Sequence, residues 1–201
     1  MSDAVYTREL PAGPALVGWC ALALLAMCGA LLAYHGTGEE GLRVLIRATA
    51  RTSIVLFAGA FAASGLRRVW GSPASAWLLR NRRYVGLSFA VSHGLHLAAI
   101  LAAAATVPGF AADVSPVTAI VGGSAYVLIA LMALTSNDTA VRRLGRRRWR
   151  ALHLTGLWLV FLIFTNSYLG RAVHNPNYWP NAALLGAMLC LRLWPSRARV
   201  D

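Results

Sequence analysis

Apolar runs of roughly twenty residues recur along this chain and leave little room for anything else. They lie at about 14–34, 44–65, 84–106, 115–135, 152–170 and 178–194, each near the length that crosses ~30 Å of hydrocarbon at ~1.5 Å per residue. A backbone inside a bilayer must satisfy its own hydrogen bonds, so these runs are expected as helices. The expected fold is therefore all-α, a polytopic membrane protein forming one six-transmembrane-helix bundle over residues 1–201. Short punctuated connections agree: Gly36-Thr37-Gly38, Gly71-Ser72-Pro73, Pro108-Gly109, Pro176 and Pro180. The first run is too long for a secretory leader and shows no small-residue cleavage site, so it is expected as a retained span.

Charge sorts into the gaps between the runs. The chain is 58% hydrophobic and 13% charged, and its formal net charge of +12 comes from arginine alone. On a soluble chain that balance would raise nucleic-acid binding; here the arginines flank apolar spans, which points to membrane lipid and to no nucleic acid. Arg67, Arg68, Arg80, Arg82 and Arg83 fill the second connection, Arg142, Arg143, Arg146, Arg147, Arg148 and Arg150 the fourth, and Arg192, Arg197 and Arg199 the tail. The third connection has none and the fifth only Arg171. The positive-inside rule then puts those loops and both termini in the cytoplasm of a bacterial-type inner membrane. Cys20, Cys28 and Cys190 form no metal-binding or redox spacing and are expected as buried free thiols.

Ionisable groups inside apolar runs are costly, so each is a candidate for function. After Arg82-Arg83-Tyr84-Val85-Gly86-Leu87 come His93 and His96, about ten and thirteen residues further on, and His153 begins the fifth run. Glu39 and Glu40 precede Arg43, Arg47 and Arg51, which recur every four residues on one face of the second run. Those arginines either snorkel and pair with the two glutamates, or clamp an anion such as a heme propionate.

Two stretches together resemble the ferric-reductase-like transmembrane domain over roughly residues 44–170. They are Arg82-Arg83-x-x-Gly86-Leu87 with Leu95-His96, and Thr135-Ser136 followed by Arg142-Arg143-Leu144-Gly145, Trp149 and Leu152-His153. Within that family the pattern is nearest to heme-binding membrane subunits that partner methionine-sulfoxide reductase. The resemblance implies a six-helix bundle whose third- and fifth-helix histidines hold b-type heme and pass electrons across the membrane. It assigns His96 and His153 as candidate iron ligands, with His93 as an extra imidazole one turn below His96, and Arg51 as a basic residue of the second helix. Two departures stand out. Where relatives carry a second fifth-helix histidine this chain has Asn166, and where they tend to carry one before the matching arginine it has Arg47.

The leading expectation is a heme b-dependent electron-transfer subunit. No flavin or nicotinamide motif is visible, so electrons would pass to or from a separate redox partner protein or a quinone, and the chain would be a relay more than a complete enzyme. The alternative is a degenerate relative without heme that serves as a structural or assembly partner of a membrane complex. An anion transporter using the Arg43, Arg47 and Arg51 face is a third reading, but no broken mid-membrane helix supports it.

Overall fold

The computed structural model describes residues 10–195. Arg197, Arg199 and both chain ends, which entered the orientation argument, lie outside the described residues. Seven α-helices follow in order: α1 (Pro14–His35), α2 (Glu39–Val69), α3 (Pro73–Thr106), α4 (Pro116–Leu134), α5 (Asp138–Leu144), α6 (Arg146–Ala172) and α7 (Trp179–Leu193), with one 3-10 turn at Pro176–Tyr178. Among the described residues there is no strand, and five helices, α1 to α4 and α6, are long and apolar enough to cross a membrane. The sixth expected span is shorter: α7 has 15 residues, or roughly 22 Å at 1.5 Å per residue. Pro176 and Pro180 confine its start, because neither ring supplies a backbone donor.

Helix boundaries differ from the apolar runs for a local reason. Ser72 accepts a hydrogen bond from the Ser75 amide at 3.2 Å, and Pro73 occupies the first turn, so α3 starts eleven residues before its apolar run. Arg80, Arg82 and Arg83 thus stand on a rigid helix and not in a loop. In the same way α2 begins at Glu39, and Arg43 belongs to its first turns. The fourth connection folds too, as α5, whose Asn137 cap accepts from the Ala140 amide at 2.8 Å.

Antiparallel α2 and α3 form the most extensive pair, with α7 packed along α2 and α6 between α4 and α7. The core is aromatic: Phe57 and Phe61 of α2, Phe89 of α3, and Phe161, Phe164 and Tyr168 of α6 bury together with Ile54, Ile129, Val160, Leu185 and Met188. Large apolar side chains outside it, among them Trp19, Leu22, Val117, Ile120 and Leu162, are exposed. A bilayer is the solvent that accepts such a surface, and the protein is a membrane protein. Cys20 and Cys28 are half-buried and Cys190 exposed, so the thiols are free but not enclosed as the sequence led one to expect.

Candidate functional site

A polar seam joins α2 and α3 inside the bundle. Ser88, Ser92 and His96 recur every four residues on α3, and Thr49 and Ser53 do so on α2, so two stripes of hydroxyls meet across the antiparallel pair. Ser92 Oγ lies 2.9 Å from Ser53 Oγ and 3.0 Å from Thr52 Oγ1, while Thr49 Oγ1 lies 3.1 Å from His96 Nδ1. Thr49, Ser53, Ser88 and Ser92 are fully buried. Hydroxyls in such a place hold helices in register and orient the groups they touch. The four-residue spacing of this seam is present in the sequence, but serine and threonine within a span carry no charge that would mark them out, unlike the arginine stripe on the other side of the same helix.

His93 and His96 sit at this level. His93 is buried, with its ring 4.8 Å from and nearly parallel to that of Tyr126, 5.4 Å from Phe89 and 5.6 Å from Phe164. Its Nδ1 has no hydrogen-bond partner among the described residues, which is unusual for a buried polar atom. The His96 ring is 5.2 Å from that of His93. Both imidazoles project from one helix three residues apart, so they approach any planar ligand from the same side.

His153 belongs to a different place. Its Nε2 is 3.0 Å from Thr135 Oγ1, and its ring stacks on Trp149 at 4.3 Å, whose indole donates to the Thr135 carbonyl at 2.9 Å. It lines a cavity of about 860 Å³ at the arginine-rich end of the bundle. Phe57, Phe89, Ile129, Met132 and Leu157 form the apolar wall, and Arg68, Arg80, Arg82, Arg83, Arg150 and Arg192 supply the charge. Neither His93 nor His96 lines it. From Arg83 to His96 is thirteen residues of α3, or roughly 20 Å, and Phe57, Phe89 and Phe164 fill the level between. Two axial nitrogens of one iron each sit on the order of 2 Å from it. The structure therefore does not bring His96 and His153 together as one pair of ligands.

The other sequence-predicted residues also lie apart. Asn166 is exposed, on the face of α6 opposite the buried Phe164 and Tyr168, and does not look across at His96. Arg47 and Arg51 are exposed on the side of α2 away from Thr49. Arg43 follows the snorkelling alternative: it pairs with Glu39 at 2.8 Å and lies 5.7 Å over the Phe110 ring, while His35 meets Glu40 at 3.4 Å. At the arginine-rich end, the Arg83 guanidinium donates to the exposed Asp138 at 2.6 Å and, by that hydrogen bond and its charge, holds the carboxyl below the usual carboxylate range.

Among the described residues no three of His, Cys, Asp or Glu converge on a metal-ion site. A metal at His96 would have to bring its own equatorial ligands, as heme iron does. The donor set suits that group in part. Beside His96 it offers the His93 Nδ1, which has no hydrogen-bond partner among the described residues, and the rings of Phe89, Tyr126 and Phe164 around His93, but no second imidazole across from His96.

The family described as Ferric reductase like transmembrane component matches residues 46–164. The heme-binding subunit MsrQ of protein-methionine-sulfoxide reductase from Ralstonia nicotianae is 32% identical over 182 residues, covering 78% of this chain and 73% of that protein. The subunit of the same name from Bordetella pertussis is 33% identical over 172 residues, covering 80% and 77%. That from Rhodospirillum rubrum is 28% identical over 199 residues, covering 89% of each. No solved structure matches. With the family matched over residues 46–164, which hold the seam, most of the cavity lining and all three bundle histidines, the chain belongs to the ferric reductase-like transmembrane family.

Proposed function

We propose that this protein is a heme b-dependent electron-transfer subunit of a bacterial plasma membrane, in which His96 would help to hold the heme. The observation that carries this reading is the His96 imidazole. It sits within the bundle with Nδ1 3.1 Å from Thr49 Oγ1 and its ring 5.2 Å from that of His93, which itself stacks on Tyr126 and lies near Phe89 and Phe164. Relatives named as heme-binding subunits support the same cofactor. Bound heme supplies a one-electron carrier in a low-dielectric shell. The chain's own residues orient the imidazole, exclude water with the Phe57, Phe89 and Phe164 layer, and present positive charge at one end.

That end is read as cytoplasmic, since the basic connections gather there, and α7 as a sixth crossing that brings the tail back to it. Electrons then pass between this subunit and a separate redox protein or a quinone. The arginine-lined cavity favours a negatively charged or carbonyl-bearing donor on that side. Arg47 and Arg51, at the other end, remain available to lipid or to a partner on the far side.

One observation favours a second reading. With Asn166 facing outward and His153 a long way along the bundle, no imidazole opposes His96, as in a relative that has lost heme and retains a structural role. A reduced-minus-oxidised visible spectrum of the purified protein decides between them. A b-type spectrum that disappears in His96→Ala is the expected result; clean protein made with ample heme and showing no Soret absorbance would overturn the relay.

A further inference from the structure

Charge at the arginine-rich end is not balanced by the protein itself. Arg68 of α2, Arg80, Arg82 and Arg83 of α3, Arg150 of α6 and Arg192 of α7 line one cavity, and no described aspartate or glutamate lines it with them. The three ion pairs among the described residues bring a carboxylate, Asp138, to Arg83 and leave Arg80, Arg82 and Arg150 without one. Arg68 and Arg192 are held by neutral acceptors. The Arg192 carbonyl takes a bond from Arg68 at 2.9 Å, and the Phe61 carbonyl at 3.2 Å and Ser64 Oγ at 3.3 Å take bonds from Arg192. Such acceptors orient a guanidinium and leave its charge in place. Like charges gathered around one space attract an anion into it.

Position along the bundle says which anion. α3 and α6 meet through Phe89 and Phe164, with ring centroids 6.1 Å apart, and the cavity lies between them toward the arginine-rich end. Its floor is apolar and buried at Phe57 and Phe89, whereas Arg80, Arg82 and Arg150 are exposed at its mouth. Trp70 at the close of α2 and Trp194 at the close of α7 are exposed at the same end, and Trp149 stands in the first turn of α6. Exposed indoles at helix ends mark the headgroup level of a bilayer, so the mouth stands where lipid phosphates lie. On one side a single helix separates the cavity from the bilayer: α4 lines it with Ile129, Met132 and Ala133 and exposes Val127, Leu131 and Leu134.

We propose that the mouth of this cavity is a seat for the phosphate of an anionic phospholipid from the leaflet on the arginine-rich side, with Arg82 of α3 and Arg150 of α6 as its principal donors and Arg80 beside them. A guanidinium matches phosphate oxygens two bonds at a time, and basic pockets between membrane helices bind such headgroups. A seated phosphate ties α3 to α6 at the end where the cavity lies between them. His153 and the apolar floor take no part in the seat and remain open to a cofactor. The inference therefore stands apart from the heme reading.

The test is binding of phosphatidylglycerol to the purified full chain in a neutral detergent at ~0.15 M salt, read by native mass spectrometry and by thermal unfolding. Phosphatidylcholine and inorganic phosphate are titrated alongside. Wild type should retain phosphatidylglycerol and unfold at a higher temperature with it, and should show neither response to the other two. Arg82→Gln with Arg150→Gln should cut the apparent affinity about 100-fold, because each charge-assisted hydrogen bond is worth roughly tenfold or more. The single variants, each expected at about tenfold, carry the test if the double variant does not fold. Arg146→Gln with Arg147→Gln removes two exposed charges that do not line the cavity and should cost only a few-fold through long-range attraction. Equal losses in the two pairs would show a diffuse basic surface without a seat, and a wild-type response to inorganic phosphate equal to that to the lipid would show a soluble-anion site. Either result, or no retention of phosphatidylglycerol by wild type, overturns the proposal. None of these readouts depends on heme, so a failure of the electron-transfer reading leaves the result intact.

Discussion

Asn166 lies two residues after Phe164 and two before Tyr168, both of which are buried, so at about 100° per residue its side chain leaves the helix on the opposite side. The amide therefore does not stand over an open iron position. Asn166→His should leave the heme spin state and carbon monoxide binding of the protein as they are, and conversion to a low-spin, closed site would show that the two helices turn relative to this arrangement. Asp138 gives a prediction with a definite sign in pH. Its carboxyl is held low by Arg83, so the ion pair contributes above the ordinary carboxylate range and its contribution is lost as pH falls through the depressed folded value. The melting-temperature gap between wild type and Asp138→Asn should be small at neutral pH, being an exposed pair, and should close on acidification or added salt. A gap that opens on acidification would contradict this. Candidate residues were legible at this scale as types: histidine inside an apolar run is costly enough to stand out. Their partners were not, because a threonine within a span costs little and gives no sign of which neighbour it serves.

Helices were legible where hydrophobicity alone decides, as in α1 and α4, whose bounds nearly coincide with their apolar runs. The polar ends of α2, α3 and α6 were not, since caps and the absence of a breaker extend a helix through arginines that hydropathy assigns to loops. Close approach between elements was also hidden, though glycine marks it. A methyl group on Gly65 of α2 would lie 1.9 Å from the Leu191 carbonyl oxygen of α7, a backbone atom that cannot move without the helix. One on Gly156 of α6 would meet Met132 Sδ at 2.6 Å, the far part of a flexible side chain. Gly65→Ala should thus destabilise the folded protein by about 1–3 kcal/mol, as overpacking does, and Gly156→Ala by clearly less. Thermal unfolding of the two variants in the same detergent measures the difference; equal losses would mean that α7 is free to slide along α2.

For the whole molecule, the question is whether α7 crosses the membrane despite its 15 residues. Its neighbours say where its two ends are. Near its start, Tyr178 packs on Tyr168 with ring centroids 6.2 Å apart, and Tyr178 also lies 5.8 Å below the Arg171 guanidinium. At its finish, Arg68 donates to the Arg192 carbonyl at 2.9 Å, and the Arg192 guanidinium donates to the Phe61 carbonyl at 3.2 Å while lying 5.3 Å over the Phe61 ring. Arg68 and Arg192 both line the cavity that His153 shares with Arg82 and Arg83, so α7 runs from the end carrying Tyr168 to the arginine-rich end. A span of roughly 22 Å falls short of the ~30 Å hydrocarbon core, and such a helix is accommodated by local thinning and by flanking groups that reach the interface. Trp179 and Trp194, both exposed at its two ends, are residues suited to that position. The chain should therefore cross six times. Reporter fusions at Asp138 and after Leu193 should read the same side of the membrane and a fusion at Asp113 the other. If the fusion after Leu193 instead agrees with Asp113, α7 lies on the bundle as a half-span, and the tail belongs to the opposite compartment.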